Sequence, residues 1–140
     1  MAKNKYTRLV IDTNLWISFI ISKKFIQLET LLITGKFRIL FSNELIDELQ
    51  ATISKPKLKK YFPDNALEDM LTIFDPYIDF IEVKCKVEVC RDPNDDFLLA
   101  LAKDGKANFL ITGDKDLLDI VKFEKVVILK INDFLEKHKS

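Results

Sequence analysis

The sequence is poor in the residues that build disulfide frameworks, collagen-like repeats and low-complexity chains. Its 140 residues include only 2 cysteines, 3 glycines and 4 prolines. Two cysteines are too few for a disulfide framework or an all-thiolate zinc site, so we expect Cys85 and Cys90 to pack in a reducing compartment. The scarcity of glycine and proline, beside 48% hydrophobic residues, excludes collagen-like and disordered chains.

Net charge and long hydrophobic runs are also missing. The 22 basic and 22 acidic residues cancel, so no overall field attracts the chain to nucleic acid or to an anionic membrane. No segment approaches the roughly 20 apolar residues of a membrane span, and no signal-peptide core follows the basic start. We therefore predict a cytoplasmic protein without a membrane partner, folded as one domain over residues 1–140.

Short apolar runs typical of buried strands alternate with segments of helical periodicity. The strand-like runs are 9–11, 37–41, 78–83, 109–111 and 126–129. Between them, apolar residues recur at helical spacing, as in the helix predicted over 43–53 with Ser42 at its N-cap. This alternation predicts an α/β fold, a three-layer α/β/α sandwich with a central, mainly parallel sheet. Such sheets bind ligands beyond the carboxyl ends of their strands.

At three places in the sequence, carboxylates stand just after a predicted strand or just before a predicted helix. Asp12 ends the first strand and Asp114 follows the strand at 109–111, so a parallel sheet would bring both to one edge. A third acidic group, before the helix that begins near residue 97, consists of Asp92, Asp95 and Asp96. Carboxylates gathered within a few ångströms repel each other unless cations neutralise them. Oxygen-only clusters suit Mg²⁺ or Mn²⁺, which stabilise displacement at a phosphodiester and activate the attacking water.

Several of these polar residues also have a purely structural interpretation. Positions where Asp and Asn commonly cap helices are Asn14, Asp95, Asp96 and Asp116. Asp12 and Asp114 are harder to explain in this way, because each ends a buried apolar strand, where an unpaired charge is unfavourable. The helix at 43–53 adds Glu44 and Glu48 on one face, and its periodicity leaves open which of the two reaches the site.

A dense basic strip follows that helix. Lys55, Lys57, Lys59 and Lys60 surround Pro56, which ends the helix. In the simplest interpretation these lysines form a solvated loop. Alternatively they contact phosphates, and because the net charge is zero we then expect weak, salt-sensitive binding of RNA.

Four short motifs occur in a characteristic order along the chain. They are Ile11-Asp12-Thr13-Asn14, then Ser42 followed by Glu48-Leu49, then Asp92-Pro93-Asn94-Asp95-Asp96 with Ala100 and Ala102, and finally Ile111-Thr112-Gly113-Asp114-Lys115-Asp116-Leu117. This series resembles the PIN-domain family over nearly the whole chain. With Lys55-Pro56-Lys57 after the second helix, it resembles especially the toxin-type members of toxin–antitoxin systems.

The resemblance implies an activity, a cofactor and partners. The activity would be a metal-dependent endoribonuclease that hydrolyses phosphodiester bonds in single-stranded or loop RNA, with Mg²⁺ or Mn²⁺ as cofactor. Cleavage would leave a 5′-phosphate and a 3′-hydroxyl. The partners would be the RNA substrate, a small antitoxin protein and a second copy of the chain in a homodimer.

The resemblance also implies a set of site residues. The family's four catalytic acids would fall on Asp12, Glu48, Asp96 and Asp114, which selects Glu48 over Glu44. The metal would be held by Asp12, Asp96, Asp114 and Asp116. Asn14 and Thr112 would be supporting positions that orient a carboxylate or a water. A register slip of one would put Asp95 in place of Asp96, and Asp92 is a further second choice.

Two other classes of protein stay open. An aspartyl-phosphate phosphatase would also place Asp12 after its first strand, but it needs an acid two residues later, where Asn14 stands. A non-catalytic PIN-like RNA-binding module would keep the fold without the chemistry, and the presence of all four acids argues against it. Digestion of RNA with and without EDTA separates these classes from a metal-dependent nuclease.

Overall fold

Strands and helices alternate along the chain, as the hydrophobic pattern predicts. A computed structural model describes residues 6–22, 26–62, 64–87 and 95–138. The strands are β1 (Thr7–Ile11), β2 (Phe37–Phe41), β3 (Ile78–Phe80), β4 (Phe109–Ile111), β5 (Lys122–Phe123) and β6 (Val126–Leu129). The helices are α1 (Thr13–Ser22), α2 (Ile26–Leu32), α3 (Asn43–Ile53), α4 (Pro56–Lys59), α5 (Ala66–Phe74), α6 (Asp96–Asp104), α7 (Lys115–Leu118) and α8 (Ile131–Lys137), with a 3-10 turn at Asp75–Tyr77.

The six strands form a sheet in the order β3-β2-β1-β4-β6-β5. Neighbouring strands are parallel, except for the antiparallel pair β5 and β6 at one edge. The chain first builds the sheet outward from β1 through β2 and β3, then returns to the other side of β1 as β4. This reversal makes the carboxyl ends of β1 and β4 the topological switch point, where ligands bind in sheets of this kind.

Helices pack on both faces of the sheet, because successive strand residues point to opposite faces. On one face, the ring of Phe41 stacks on Trp16 of α1, with the ring centroids 5.4 Å apart. On the other face, the neighbouring residue Leu40 lies against Gly105 at the C-terminal end of α6. The central strand is apolar on both faces, and Leu9 and Val10 are fully buried. The predicted α/β fold with a mainly parallel sheet is confirmed.

Two helices of the structure, α1 and α4, are not predicted by the sequence pattern. The segment of α1 has no charged residue and no clear helical stripe, yet it begins where Asp12 accepts a hydrogen bond from the backbone N–H of Leu15, 2.9 Å away. The helix α4 lies inside the basic strip, which was expected to be a loop, and Pro56 occupies its first position. Proline is favoured there because the first helical N–H needs no partner within the helix.

The cysteines divide between the described and the undescribed residues. Cys85 is a free, half-buried thiol that packs against the core, and its backbone N–H donates to Asp104 Oδ2 at 2.9 Å. Cys90 lies outside the described residues. Within the described ranges, no helix is both long and apolar enough to cross a membrane.

Gly105 should be the glycine least tolerant of a side chain. A methyl group there would lie 2.5 Å from Leu40 Cδ1, which is fully buried and has little room to move, and 3.0 Å from the Leu101 carbonyl oxygen. We expect Gly105→Ala to lower the free energy of unfolding by about 1–3 kcal/mol, measured by urea denaturation.

The matched control is Gly113→Ala, because a methyl group on Gly113 would meet nothing within 4 Å. We expect this variant to unfold within about 0.5 kcal/mol of the parent. Equal losses in the two variants would contradict the assignment of close packing to Gly105.

Candidate active site

The register of the two central strands brings two of the predicted acids to one edge. Ile11 pairs with Ile111 at the carboxyl ends of β1 and β4. The backbone N–H of Asp12 continues this ladder by donating to the Ile111 carbonyl oxygen at 3.1 Å. Asp12 and Thr112 therefore begin the loops that leave adjacent strands, and Asp114 follows two residues later on the same edge.

Asp12 is a buried carboxylate whose two oxygens both accept hydrogen bonds. Asp12 is only 4% exposed to solvent. Oδ1 accepts the backbone N–H of Leu15 at 2.9 Å, which caps the N-terminus of α1, and Oδ2 accepts the hydroxyl of Thr112. The carboxylate is thus held in place by backbone and side-chain donors from the segments that follow both strands.

The hydroxyl of Thr112 links the loop after β1 to the loop after β4. Thr112 is fully buried, donates to Asp12, and accepts the backbone N–H of Asp114 at 3.0 Å. Asp114 in turn caps α7, because its Oδ1 accepts the backbone N–H of Asp116 at 2.8 Å. The capping role that the sequence suggested for Asp116 therefore belongs to Asp114, and Asp116 supplies the N–H that is capped.

The electrostatic environment of Asp12 favours its neutral form or a bound cation. Burial raises the pKa of the Asp12 carboxyl above its ordinary value, and the charge of Asp114 acts in the same direction. The hydrogen bonds from Thr112 and Leu15 act in the opposite direction and only partly offset the burial. A positive charge placed near both carboxylates would remove this penalty.

A cavity of about 270 Å³ opens at this edge of the sheet. The carboxylates among its lining residues are Asp12, Glu48, Asp95 and Asp114. Asn14 and Lys55 contribute the other long polar groups, and Phe97 forms an aromatic part of the wall. Side chains from four separate segments, which are far apart in the sequence, therefore share one polar cavity.

Glu48 reaches the cavity because of the way α3 packs. The Oγ of Ser42 accepts the backbone N–H of Leu45 at 3.2 Å, which starts the helix as predicted. Leu45 and Leu49 are fully buried, and this sets the rotation of the helix against the core. Of the two acids on the polar side, Glu48 lines the cavity and Glu44 is not among the lining residues that the structure describes.

At the start of α6, the residue that lines the cavity is Asp95, which the sequence offered only as an alternative to Asp96. Asp95 immediately precedes α6 and lines the cavity, whereas Asp96 is the first residue of the helix and is not among the described lining residues. Asp116 also lies outside the described lining, and Asp92 lies outside the described residues.

The carboxylates share the cavity without closing on a common point. Within residues 6–22, 26–62, 64–87 and 95–138, no three Asp, Glu, His or Cys side chains are close enough together to hold a metal ion. The expectation of carboxylates within a few ångströms is therefore wrong for the described residues. Mutual repulsion between the carboxylates opposes such a cluster. In addition, both carboxylate oxygens of Asp12 already accept hydrogen bonds, one from Leu15 and one from Thr112. The donor set nevertheless fits Mg²⁺ or Mn²⁺, since it consists of carboxylate oxygens with the Asn14 amide oxygen.

This fold and cavity define an α/β protein with an acidic cavity at the switch point of a mainly parallel sheet. A family model described as the PIN domain matches residues 8–116, which is most of the chain. The chain therefore belongs to the PIN-domain family, whose members are generally nucleases acting on nucleic acids.

The chain is also similar to individual known proteins in sequence or in fold. A protein of Methanocaldococcus jannaschii, itself uncharacterised, is 33% identical over 129 residues, which cover 90% of this chain and 81% of that protein. The structure of VapBC2 from Rickettsia felis, bound to a DNA fragment from their promoter, contains a chain with a TM-score of 0.58 and 16% identity, covering 87% of this chain and 97% of that one. The PIN domain of human SMG5 has a TM-score of 0.51 and 16% identity, covering 94% and 99%. At this identity the two structures show a shared fold.

The raised pKa of Asp12 predicts a particular dependence of stability on pH in the metal-free protein. Because folding raises this pKa, the folded state binds the proton more tightly than the unfolded state does. The contribution of Asp12 to stability is therefore complete at acid pH and is lost as the pH rises through its folded pKa. Asp12→Asn lacks this titration but keeps a good N-cap.

We expect the unfolding free energy of the parent, relative to Asp12→Asn, to fall as the pH rises and then to level off. Urea denaturation in EDTA at a series of pH values measures the difference. A difference between the two proteins that stays constant across the series would contradict the raised pKa.

Proposed function

We propose that this protein is a metal-dependent endoribonuclease that hydrolyses phosphodiester bonds of RNA. The observation that carries the proposal is the meeting of four carboxylates, from four separate segments, in one cavity at the switch point of the sheet. These residues are Asp12, Glu48, Asp95 and Asp114. A cavity with this donor set, in a member of the PIN-domain family, suits a divalent cation and an anionic substrate better than it suits an apolar ligand.

Mg²⁺ or Mn²⁺ would be held by Asp12, Asp95 and Asp114, in part through bound water molecules, because these carboxylates do not close on a common point. Glu48 would complete the lining or orient a water. In this assignment Asp95 takes the place that the family resemblance implied for Asp96. When bound, the cation supplies charge stabilisation at the phosphodiester and activation of water. Phosphodiester hydrolysis then needs the protein mainly to position the reacting groups and to stabilise developing charge.

The remaining residues of the site keep the carboxylates in place. Thr112 and the backbone N–H of Leu15 orient Asp12, and the backbone N–H of Asp116 orients Asp114. The amide of Asn14 lines the cavity and can donate to a phosphate oxygen or to a water. We therefore assign Thr112 and Asp116 as positioning residues and Asn14 as a direct contact to substrate or solvent.

We also propose that the chain is the toxin component of a toxin–antitoxin pair, acting in the cytoplasm as a homodimer. The fold similarity to a chain of VapBC2 from Rickettsia felis supports an antitoxin partner, as does the order of the motifs around Asp12, Lys55 and Asp114. We expect a small protein encoded next to this chain to copurify with it and to block cleavage of RNA. Cleavage that is unchanged by such a protein would contradict the toxin role and leave the nuclease proposal intact.

Substitution of the cavity carboxylates tests the nuclease proposal. We expect the parent to cleave single-stranded RNA with Mg²⁺ or Mn²⁺ and to stop when EDTA is added. Asp12→Asn and Asp95→Asn should each lower the cleavage rate by about 100-fold or more, since each removes a charge that acts on the transition state. The loss for Asp96→Asn should be clearly smaller than that for Asp95→Asn.

Circular dichroism and urea denaturation of each variant show whether the fold is kept. Cleavage products should carry a 5′-phosphate, detected by their sensitivity to phosphatase. An Asp12→Asn variant that is folded and cleaves at the parent's rate, or cleavage that resists EDTA, would overturn the proposal.

A further inference from the structure

We infer that Lys55 is a positioning residue that binds a backbone phosphate of the RNA beside the cavity carboxylates. The inference rests on the proposed ribonuclease function and goes beyond it by naming the group that holds the substrate. Among the described residues, Lys55 is the one cationic side chain in the lining of the cavity. The other lysines of the basic strip are not part of that lining.

Lys55 reaches the cavity because it continues one face of α3. Glu48, Thr52 and Lys55 all line the cavity and are spaced four and three residues apart, which is the spacing of neighbours on one side of a helix. The hydroxyl of Thr52 donates to the Glu48 carbonyl oxygen at 2.7 Å, so this side of the helix is regular up to its last turn. Lys55, which is exposed to solvent, therefore borders the cavity on the same side of α3 as Glu48.

The backbone of Lys55 is fixed at the junction of α3 and α4. Its N–H donates to the Thr52 carbonyl oxygen at 3.2 Å, and its own carbonyl oxygen accepts the N–H groups of Leu58 and Lys59, both at 2.9 Å. Its dihedral angles are φ −63° and ψ 139°, the extended conformation that a following proline requires. The side chain of Lys55 therefore starts from a well-defined point at the wall of the cavity.

The charge of Lys55 can offset the repulsion between RNA and the carboxylates of the cavity. An RNA strand entering a cavity lined by four carboxylates meets repulsion, and the zero net charge of the chain provides no compensating field. Within the described residues Lys55 forms no ion pair, so its ammonium is available to a phosphate. A flexible lysine suits this task, because it binds phosphate as a point charge without a required angle.

A competing explanation is that Lys55 only neutralises the carboxylates. The two roles differ in what removal of the charge does. A neutralising lysine competes with the metal, so its loss would tighten metal binding and leave RNA affinity unchanged. A phosphate-binding lysine contributes to the affinity for RNA and to its dependence on salt.

The test measures equilibrium binding of a short fluorescent single-stranded RNA of mixed sequence in EDTA, over a series of salt concentrations. The full-length Asp12→Asn protein serves as the background, so that no cleavage occurs. Adding Lys55→Ala should weaken binding roughly fivefold at low salt and make the slope of log affinity against log salt shallower by about 0.7, the loss of one phosphate contact. Lys55→Arg should restore most of both.

Lys36→Ala is the matched control, because Lys36 is exposed and lies just before β2, at the edge of the sheet opposite the cavity. It removes the same charge from the chain and should leave affinity and slope close to those of the background. In the active protein, Lys55→Ala should raise KM with a smaller change in kcat, since the contact exists before the reaction begins.

The outcomes separate this inference from the function on which it rests. Equal losses for Lys36→Ala, or for Lys59→Ala within the strip, would show a diffuse charge effect and overturn the role of Lys55. Unchanged RNA binding together with tighter Mn²⁺ binding would assign Lys55 to neutralisation and also overturn it. A parent that cleaves RNA while Lys55→Ala behaves identically would refute the inference alone. A parent that neither binds nor cleaves RNA would refute the proposed function, and the inference with it.

Discussion

The site depends on the hydrogen bond between the hydroxyl of Thr112 and the carboxylate of Asp12. A buried carboxylate is strongly unfavourable unless its oxygens accept hydrogen bonds, and Thr112 supplies the side-chain donor among those that Asp12 uses. The same hydroxyl accepts the backbone N–H of Asp114, so it also sets where the second acid begins. Because these loops leave adjacent parallel strands, one fully buried threonine aligns the two carboxylates at the switch point of the sheet.

The structural and functional interpretations of the acids prove to be compatible. Asp12 and Asp114 cap α1 and α7, and each uses one carboxylate oxygen for the cap. Capping orients the carboxylate and supplies a favourable interaction with the helix N-terminus, which partly compensates for placing like charges in one cavity. The pKa of Asp12 is nevertheless raised, mainly because the carboxylate is buried and to a lesser extent because of the charge of Asp114. A site of this design is under electrostatic strain in the metal-free protein, and that strain is what gives a divalent cation its advantage there.

Acidic and basic side chains both line the cavity, and they come from different elements of the fold. The carboxylates come from the ends of strands and from two helices, whereas Lys55 comes from the turn after α3. In a chain with zero net charge, attraction to a polyanion must be local, and a single lysine beside the proposed metal site would provide it where the substrate needs to be held. The lysines further along the strip lie outside the described lining, which favours a specific contact over a general basic surface.

By itself the sequence determined the fold class, the central strands, the limits of α3 and the placing of Asp12 and Asp114 at one edge, because buried strands and helix caps leave strong local patterns. Tertiary structure alone decided three other points. The helix α1 forms from a segment without a clear stripe because Trp16 is buried against the sheet and Asp12 caps the first turn. Asp95 rather than Asp96 lines the cavity, and no local pattern specifies which of two adjacent acids at the start of a helix faces a site. Lys55 lines the cavity because the Glu48 face of α3 borders the site, and the rotation of that helix depends on packing between elements distant in sequence.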